Sequence, residues 1–396
     1  MKLVIVTKRT RAHGPGGVEV YVHTVARTAV ELGHEVLVVA SAHPRGAAAE
    51  AHDGYRTEYL ADTPAGVYST AFWRASAAAV RRHAGYDALY STNLAGYGAA
   101  RAGVPGPHVA WCTGRALAHL ASEWHDRAGV REMAGYPKAA LALAYYAWLE
   151  RRLYERVDGL VVEDVVTLAA LRRAGYPVRL VHSGVDTAQF AADAARRRES
   201  RAALAIPPEA DVLVMAATIN RQKGIALGVA AFGALAATHP RLHLLVLGDG
   251  PERRRLQAMA RDGQGGARVR FVGAVPDQEV ARYYAAGDIL LYPTLRAEGM
   301  PRAIVEAMSS GLAVVATDRG GVRTAVRDGE TGLLLDRPSA QILAAAVAGL
   351  LADPARRRAL GARAAAVIRE QFELHASVAA LLEVVSPART LERERA

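Results

Sequence analysis

Short runs of β-branched and aliphatic residues alternate along this chain with longer Ala/Leu/Arg stretches of helical period, and near the middle the alternation begins again. KLVIVT (2–7), EVLVVA (35–40), ALYST (88–92), HVAWC (108–112), GLVVE (159–163) and RLVHS (179–183) read as buried strands. The first two bracket a helix from about Val18 to Leu32, closed by Gly33 just past its end. DVLVMAAT (211–218), HLLVLG (243–248), VRFVG (269–273), ILLYPT (289–294), LAVVAT (312–317) and GLLLD (332–336) read as a second set. Strand, helix, strand repeated gives a parallel sheet with helices on both faces. The fold class is therefore α/β, with two doubly wound Rossmann-like domains expected to face each other across a cleft. At 396 residues the chain is too long for one core. Domain one is expected over 1–180 and domain two over 181–371. The charged, Ala-rich stretch at about 178–208, ending in Pro207-Pro208, reads as the linker.

Composition excludes several classes. With 51% hydrophobic and 22% charged residues the chain is globular and not disordered. No apolar run reaches the roughly 18 residues of a membrane span. MKLVIVTKRT is too short for a signal peptide and reads as a first strand. The single cysteine, Cys112, excludes an intramolecular disulfide and a cysteine metal cluster, which fits a reducing cytoplasm. The net charge of +10 favours anionic partners: nucleic acid, anionic lipid or a phosphorylated small molecule. It also fits a plain compositional habit of an Ala/Arg-rich chain. No basic-aromatic stripe sits on a recognisable nucleic-acid module, so nucleic acid is set aside.

In open α/β sheets ligands bind beyond the carboxyl ends of the strands, so motifs after strands carry the argument. GPGG (14–17) follows strand one and opens helix one, where free helix N–H groups attract anions. It is also an ordinary turn. A nicotinamide or flavin site would need G-x-G-x-x-G and an acid at the tip of strand two, where the chain has Ala40-Ser41-Ala42-His43. LGDGPERRRLQ (247–257) repeats the glycine turn in domain two, with Gly248 at the strand exit. ATINRQKGI (217–225) puts Arg221 and Lys223 at a strand tip, which suits a diphosphate or a solvated turn equally.

EGMPRAIVE (298–306) is the most demanding stretch. Pro301 is expected as the first residue of a helix running to Gly311. Glu298 then stands in the loop before it, and Glu306 about five residues inside, roughly 7.5 Å along the axis. The helix start between them offers unpaired N–H groups and a positive partial charge. Carboxylates at two ends and an anion site in the middle suit a ligand with hydroxyls at both ends and phosphates between: a nucleotide sugar. Glu298 can equally be a helix-start acid. Glu306, inside AIVEAM on a face packed against a sheet, is costly unless partnered.

EGMPRAIVEAMSSGLAVVATDRGGVRTAVRDGETGLLLD (298–336) resembles the signature of retaining glycosyltransferase family 4, which has the GT-B fold and an E-x7-E pair. GGVEVYVHTVARTAVELGHEVLVVA (16–40), SGVDTAQF (183–190), QKGI, LGDGPERRRL, VRFVGAVPDQEVARYYAAGDILLYPT and LLADPARRRALG follow in the family's order, so the resemblance covers nearly the whole chain. It implies a C-terminal helix at about 372–390 that crosses back onto domain one, and transfer of a sugar from a nucleotide-diphosphate sugar to an acceptor hydroxyl, with retention and without metal or other cofactor. A UDP-sugar is favoured over a GDP-sugar. Glu298, Lys223 and Arg221 are the implied catalytic set, with Glu298 on donor-sugar hydroxyls and Lys223 on the leaving diphosphate. Glu306 is implied on the ribose, Gly299 and Met300 amides beside Pro301 near the phosphates, Val272 at the base, and Gly16 and Gly17 near the phosphate from domain one.

The chain departs from the family twice. Thr218 stands where many members carry Arg, five positions before the Lys, with Arg221 nearby. In WCTGR (111–115), Cys112 and Thr113 occupy the place of a domain-one His, with Arg115 and His119 as substitutes. Two other readings stay open: a GT-B protein that binds a nucleotide sugar without turnover, and a relative such as an epimerase or a phosphorylase, the latter needing a pyridoxal-linked lysine. The acceptor is left open between a glycan or lipid-linked acceptor and a soluble sugar, cyclitol or natural product; oligomeric state is likewise open. YPKAALALAYYAWLERRLYERV (136–157) and AFWRASAAAVRRHAGYD (71–87) read as helices packed on domain one or as surfaces for an anionic membrane at the inner face of the cell.

Overall fold

The computed structural model of the chain describes residues 1–14, 16–113 and 136–386. It divides into two compact units: residues 1–184 with the segment from Leu374 onward, and Val185–Glu373.

The first unit carries β1 (Lys2–Val6), α1 (Gly17–Glu31), β2 (Glu35–Ser41), β3 (Ala49–His52), β4 (Tyr55–Leu60), α2 (Thr70–Arg82), β5 (Ala88–Thr92), α3 (Tyr97–Arg101), β6 (His108–Cys112), α4 (Tyr136–Tyr154), β7 (Gly159–Val162), α5 (Val165–Arg173) and β8 (Val178–Leu180). Among the described residues its sheet runs β3-β4-β2-β1-β5-β6-β7-β8, parallel except where β3 pairs antiparallel with β4. β3 and β4 were not expected. AEAH is the edge strand and is only partly buried, while YRTEYL lies between β3 and β2 and buries Tyr55, Thr57 and Tyr59 in alternation with Arg56 and Glu58, so neither carries the continuous apolar run of the other strands.

The second unit carries α6 (Ala194–Ala203), β9 (Asp211–Ala216), α7 (Ile225–Ala236), β10 (Leu242–Leu247), α8 (Arg253–Asp262), β11 (Val269–Gly273), α9 (Asp277–Ala286), β12 (Ile289–Tyr292), α10 (Arg302–Ser309), β13 (Ala313–Thr317), α11 (Val322–Ala325), β14 (Gly332–Leu335), α12 (Ala340–Ala352) and α13 (Pro354–Gln371). Its parallel sheet runs β11-β10-β9-β12-β13-β14. The chain winds one way from β9 to β10 and β11, then returns to the other side of β9 for β12. β9 and β12 therefore flank the switch point, the place where an open sheet leaves a crevice at its carboxyl edge. Each sheet buries an apolar cluster on each face, as Val214, Leu290 and Ile304 do on one side and Leu213, Leu291 and Val315 on the other.

Polar caps set where helices begin. Ser69, Asp164, Asp193, Ser339 and Asp353 each accept a backbone N–H from the first turn of α2, α5, α6, α12 and α13 respectively. The stretch read as a linker is mostly packed structure. Arg201, 3% exposed, pairs with Asp288 at 2.9 Å and also donates to the carbonyls of Ala286 and Ala210, while Arg197 takes the other Asp288 oxygen at 2.7 Å. The charges that suggested a linker hold α6 against the second unit. After the second unit the chain forms α14 (Leu374–Val385), part of the first unit, where Leu374, Val378, Leu381 and Leu382 share a core with Leu3, Val25 and Val36.

Candidate active site in the second unit

The site grows from the exits of β9 and β12. After β9 the chain turns through Ile219 and a short 3-10 turn, Arg221–Lys223, whose cap is Asn220: its side chain accepts from the Lys223 N–H at 3.1 Å. Gly224 ends that turn at φ 64°, and a Cβ there would lie 1.9 Å from the Pro293 carbonyl oxygen. Glycine is thus required twice, for backbone angle and for contact with the β12 exit. The Leu295 N–H donates to the Gln222 carbonyl at 2.8 Å and ties the two loops together.

This places Lys223 against Glu298. The Lys223 Nζ lies 2.6 Å from Glu298 Oε1, which also accepts from the Thr294 hydroxyl at 2.8 Å. Nζ donates to the Tyr292 hydroxyl at 3.3 Å. Arg296 Nε stands 3.7 Å from Glu298 Oε2. Burial alone would raise the Glu298 pKa, but the charges of Lys223 and Arg296 and the hydrogen bonds from Lys223 and Thr294 outweigh it and hold the carboxyl below its ordinary range. Glu298 does not cap the helix after it: α10 has no capping side chain and no acid in its first turn. The backbone of Glu298 is clamped as well. Its carbonyl accepts from the Gly321 N–H at 2.8 Å, and a Cβ at Gly320 would lie 2.3 Å from that oxygen.

Pro301 is the N-cap of α10, with φ −74° and ψ 117°, and not its first helical residue as expected. An extended cap followed by Arg302 still leaves the first N–H groups without helical partners. The buried Met300 and Pro301 and the half-buried Gly299 lead into that end. Inside the helix Glu306 is buried, and the structure supplies the partner the sequence demanded: Arg302 Nε donates to Oε1 at 2.6 Å from one turn back, and the Tyr284 hydroxyl also hydrogen-bonds the carboxylate. Burial nonetheless dominates and raises the Glu306 pKa, with Arg302 and Tyr284 opposing and Asp277 adding to it.

Other expected residues lie around this centre. Thr218 is exposed on the β9 turn and its carbonyl accepts from the Asn220 N–H. Arg221 is exposed on the same turn as Lys223, and the second cation on Glu298 is Arg296. Gly248, at the exit of β10, donates its N–H to the Gly273 carbonyl at 2.8 Å, and Val272 is half-buried against the core. Sequence reasoning missed Tyr292, Thr294 and Arg296 around Glu298, and Arg302 and Tyr284 around Glu306. The i,i+4 spacing of Arg302 and Glu306 was a usable signal.

The first unit holds its own candidates. Gly16 caps α1 and Gly17 begins it; a Cβ at Gly17 would meet nothing within 4 Å. The Thr113 N–H and hydroxyl both donate to Asn93 Oδ1 at 3.0 Å, and Asn93 holds φ 50° to reach them. Cys112 is buried beside the Tyr154 hydroxyl, with its Sγ 3.1 Å away, so its thiol is held inside the core. Arg115 and His119 lie outside the described residues. A cavity of about 380 Å³ lies between α1 and the β3–β4 edge, lined by Arg11, His23, His43, Arg45, Glu50 and His52 among others. Glu50 there accepts from Tyr59 at 2.6 Å and faces His43 at 3.1 Å. Burial and the nearby Arg11 and Arg27 charges lower His23 to about 4, so it is neutral at physiological pH. Among the described residues no cluster of three His, Cys, Asp or Glu could hold a metal ion.

With these contacts in view the chain can be compared with known proteins. Residues 15–189 match the family described as "Glycosyltransferase Family 4", and residues 196–367 that described as "Glycosyl transferases group 1". The D-inositol 3-phosphate glycosyltransferase of Kineococcus radiotolerans is 32% identical over 390 residues, covering 88% of this chain and 86% of that protein. The chain belongs to glycosyltransferase family 4. The GDP-mannose-dependent alpha-(1-6)-phosphatidylinositol monomannoside mannosyltransferase of Mycolicibacterium smegmatis is 30% identical over 212 residues, 52% of this chain and 55% of that protein. The matched region spans about half the length of several such curated relatives. The solved sucrose-phosphate synthase of Thermosynechococcus elongatus is similar in fold, with TM-score 0.80 at 22% identity over 97% of this chain and 98% of its own. The fold of this family 4 member is GT-B.

Proposed function

We propose that this protein transfers a glycosyl group from a nucleotide-diphosphate sugar to a hydroxyl of an acceptor that carries an inositol phosphate, with retention and without a metal. The observation that carries the reading is the Lys223–Glu298 pair at the switch point, beside the uncapped start of α10. As the C1–oxygen bond breaks, its electron pair moves to the diphosphate, where Lys223 and the α10 N–H groups meet the developing charge. The acceptor oxygen bonds to C1 on the same face and its proton passes to the departing phosphate oxygen. Glu298, kept ionised, accepts from donor-sugar hydroxyls, and Glu306 from the ribose. Pro301 offers no N–H, so the amides available are those around it.

The donor nucleotide and the acceptor are read from relatives. One names GDP-mannose, and the two share an inositol phosphate, free in one case and lipid-linked in the other. GDP-mannose is therefore the first donor to test, ahead of the UDP-sugars that the sequence favoured. In the first unit, the cavity with Arg11 and Arg45 beside Glu50 offers cations for a phosphate and acceptors for hydroxyls.

Titration calorimetry of GDP, UDP and ADP, with and without a chelator, followed by NMR of the product anomer, tests the reading. Binding of one nucleotide that resists the chelator, with turnover that retains configuration and falls about 10²–10³-fold in Glu298→Gln, is expected. Undiminished turnover in that variant would sink it. A second reading, binding without turnover, draws on Cys112 held in the core by Tyr154 where family members carry His. Nucleotide affinity with no transfer to any inositol phosphate would favour it.

A further inference from the structure

α4 has two faces of opposite character. Leu149 and Leu153, 1% and 0% exposed, pack into the first unit's core with Leu89, Cys112 and Leu160. On the other side Leu141, Tyr145 and Trp148 are 74%, 50% and 48% exposed. They follow one another at spacings of four and three, and Arg152 continues the series four residues on, so all four form one strip along the helix. Tyr145 stacks on Trp148 with ring centroids 6.1 Å apart, and the Arg152 guanidinium lies 5.3 Å from the Trp148 ring. Among the described residues these two are the exposed aromatic side chains. Arg151 and Arg156 are exposed beside the strip's end. Two acids share this stretch: Glu155, which pairs with Arg151 at 2.9 Å, and the half-buried Glu150.

We propose that this strip of α4 is a docking surface for an anionic lipid bilayer. The chemistry of the strip selects that partner. Trp and Tyr carry an apolar ring and a polar handle, the combination enriched at the headgroup level of membranes. A Leu at one end and three arginines at the other let the helix lie in the interface with its apolar strip down and its cations among phosphates. The net charge of +10 adds a long-range attraction to the same surface. No described helix is long and apolar enough to cross a membrane, and the buried Leu149–Leu153 face keeps α4 on the protein. The inference deepens the proposed function, since it favours the lipid-linked inositol phosphate over the free one.

The test uses the full chain and vesicles without donor or acceptor, so it stands apart from any transferase result. Cosedimentation is measured with phosphatidylcholine vesicles and with vesicles containing phosphatidylinositol. Binding to the anionic vesicles alone, falling as salt rises, is expected. The triple variant Leu141→Ser/Tyr145→Ser/Trp148→Ser should bind at least tenfold more weakly, and each of Arg151→Gln, Arg152→Gln and Arg156→Gln about fivefold, the equivalent of ~1 kcal/mol. A blue shift of tryptophan emission on vesicle addition should vanish in Trp148→Phe. Unchanged melting and GDP affinity in each variant show that the fold and the donor site are intact. Wild-type protein that ignores anionic vesicles, or a triple variant that binds like wild type, overturns the proposal. So does light scattering in which the triple variant splits a dimer, which would make the strip a contact between two copies.

Discussion

Glu298 and Glu306 are both largely withdrawn from water, yet their pKa values move in opposite directions. Glu298 meets Lys223, Arg296 and the Thr294 hydroxyl, and the cations overcome burial. Glu306 has one cation and one phenol, and burial wins. Opposite linkage follows. The Glu298 contribution to stability is present above the ordinary carboxylate pKa and is lost as pH falls through its depressed value. The Glu306 contribution is present below the ordinary value and is lost as pH rises through its raised one. Replacing Glu306 with Gln is therefore expected to leave the melting temperature at neutral pH unchanged or higher. If Glu306 accepts from the ribose as proposed, the same change should weaken donor binding by about 1.5–3 kcal/mol, roughly 10–100-fold. Calorimetry with the nucleotide beside a melting curve checks both; a lower melting temperature with full donor affinity would make Glu306 purely structural. In the wild type, donor affinity should drop on the acid side at a higher pH than an ordinary Glu would dictate, because Glu306 protonates first. Lys223→Ala strips Glu298 of its nearest cation and should both destabilise the unit, by less than the about 3–5 kcal/mol of a fully buried pair, and abolish most turnover.

At the level of elements, the site depends on two loops held in contact. The 3-10 turn after β9 presses Gly224 against Pro293 at the exit of β12, and Leu295 donates to Gln222. Gly224→Ala would force a side chain into the left-handed region and into a carbonyl oxygen. A loss of more than about 2 kcal/mol is expected, since the conformation alone costs roughly 1–2. The midpoint of urea unfolding measures this, and turnover should fall with it because Lys223 is the preceding residue. Sequence marked most strands of both sheets to within a residue or two, because buried parallel strands are continuous apolar runs. It missed β3 and β4, whose YRTEYL and AEAH carry no such run. It also misread α6, since Arg197 and Arg201 look solvated until Asp288 is placed beside them.

For the whole molecule, α14 is the element that departs from chain order, and it lies in the first unit as the family resemblance implied. It follows the second unit in sequence yet buries Leu374, Val378, Leu381, Leu382 and Val385, each at most 5% exposed, in the first unit's core. At about 1.5–3 kcal/mol per buried side chain, their removal exceeds the usual net stability of a domain. A chain ending at Glu373 is expected to lose protease protection in the first unit while the second keeps its own; equal protection in both would show α14 to be dispensable. The sequence by itself determined the doubled α/β plan, because period records which face of each element is buried; local spacing marked Lys223, Glu298 and Glu306 as candidates, and the family came from the resemblance of the motifs in their order. Only the tertiary structure decided which of these residues meet. Lys223 and Glu298 are 75 positions apart and touch because β9 and β12 are neighbours, a consequence of the chain's return across the sheet. The same holds for Arg296 beside Glu298 and for the two faces of α4: side-chain type is written in the sequence, but its surroundings are set by the elements that pack against it.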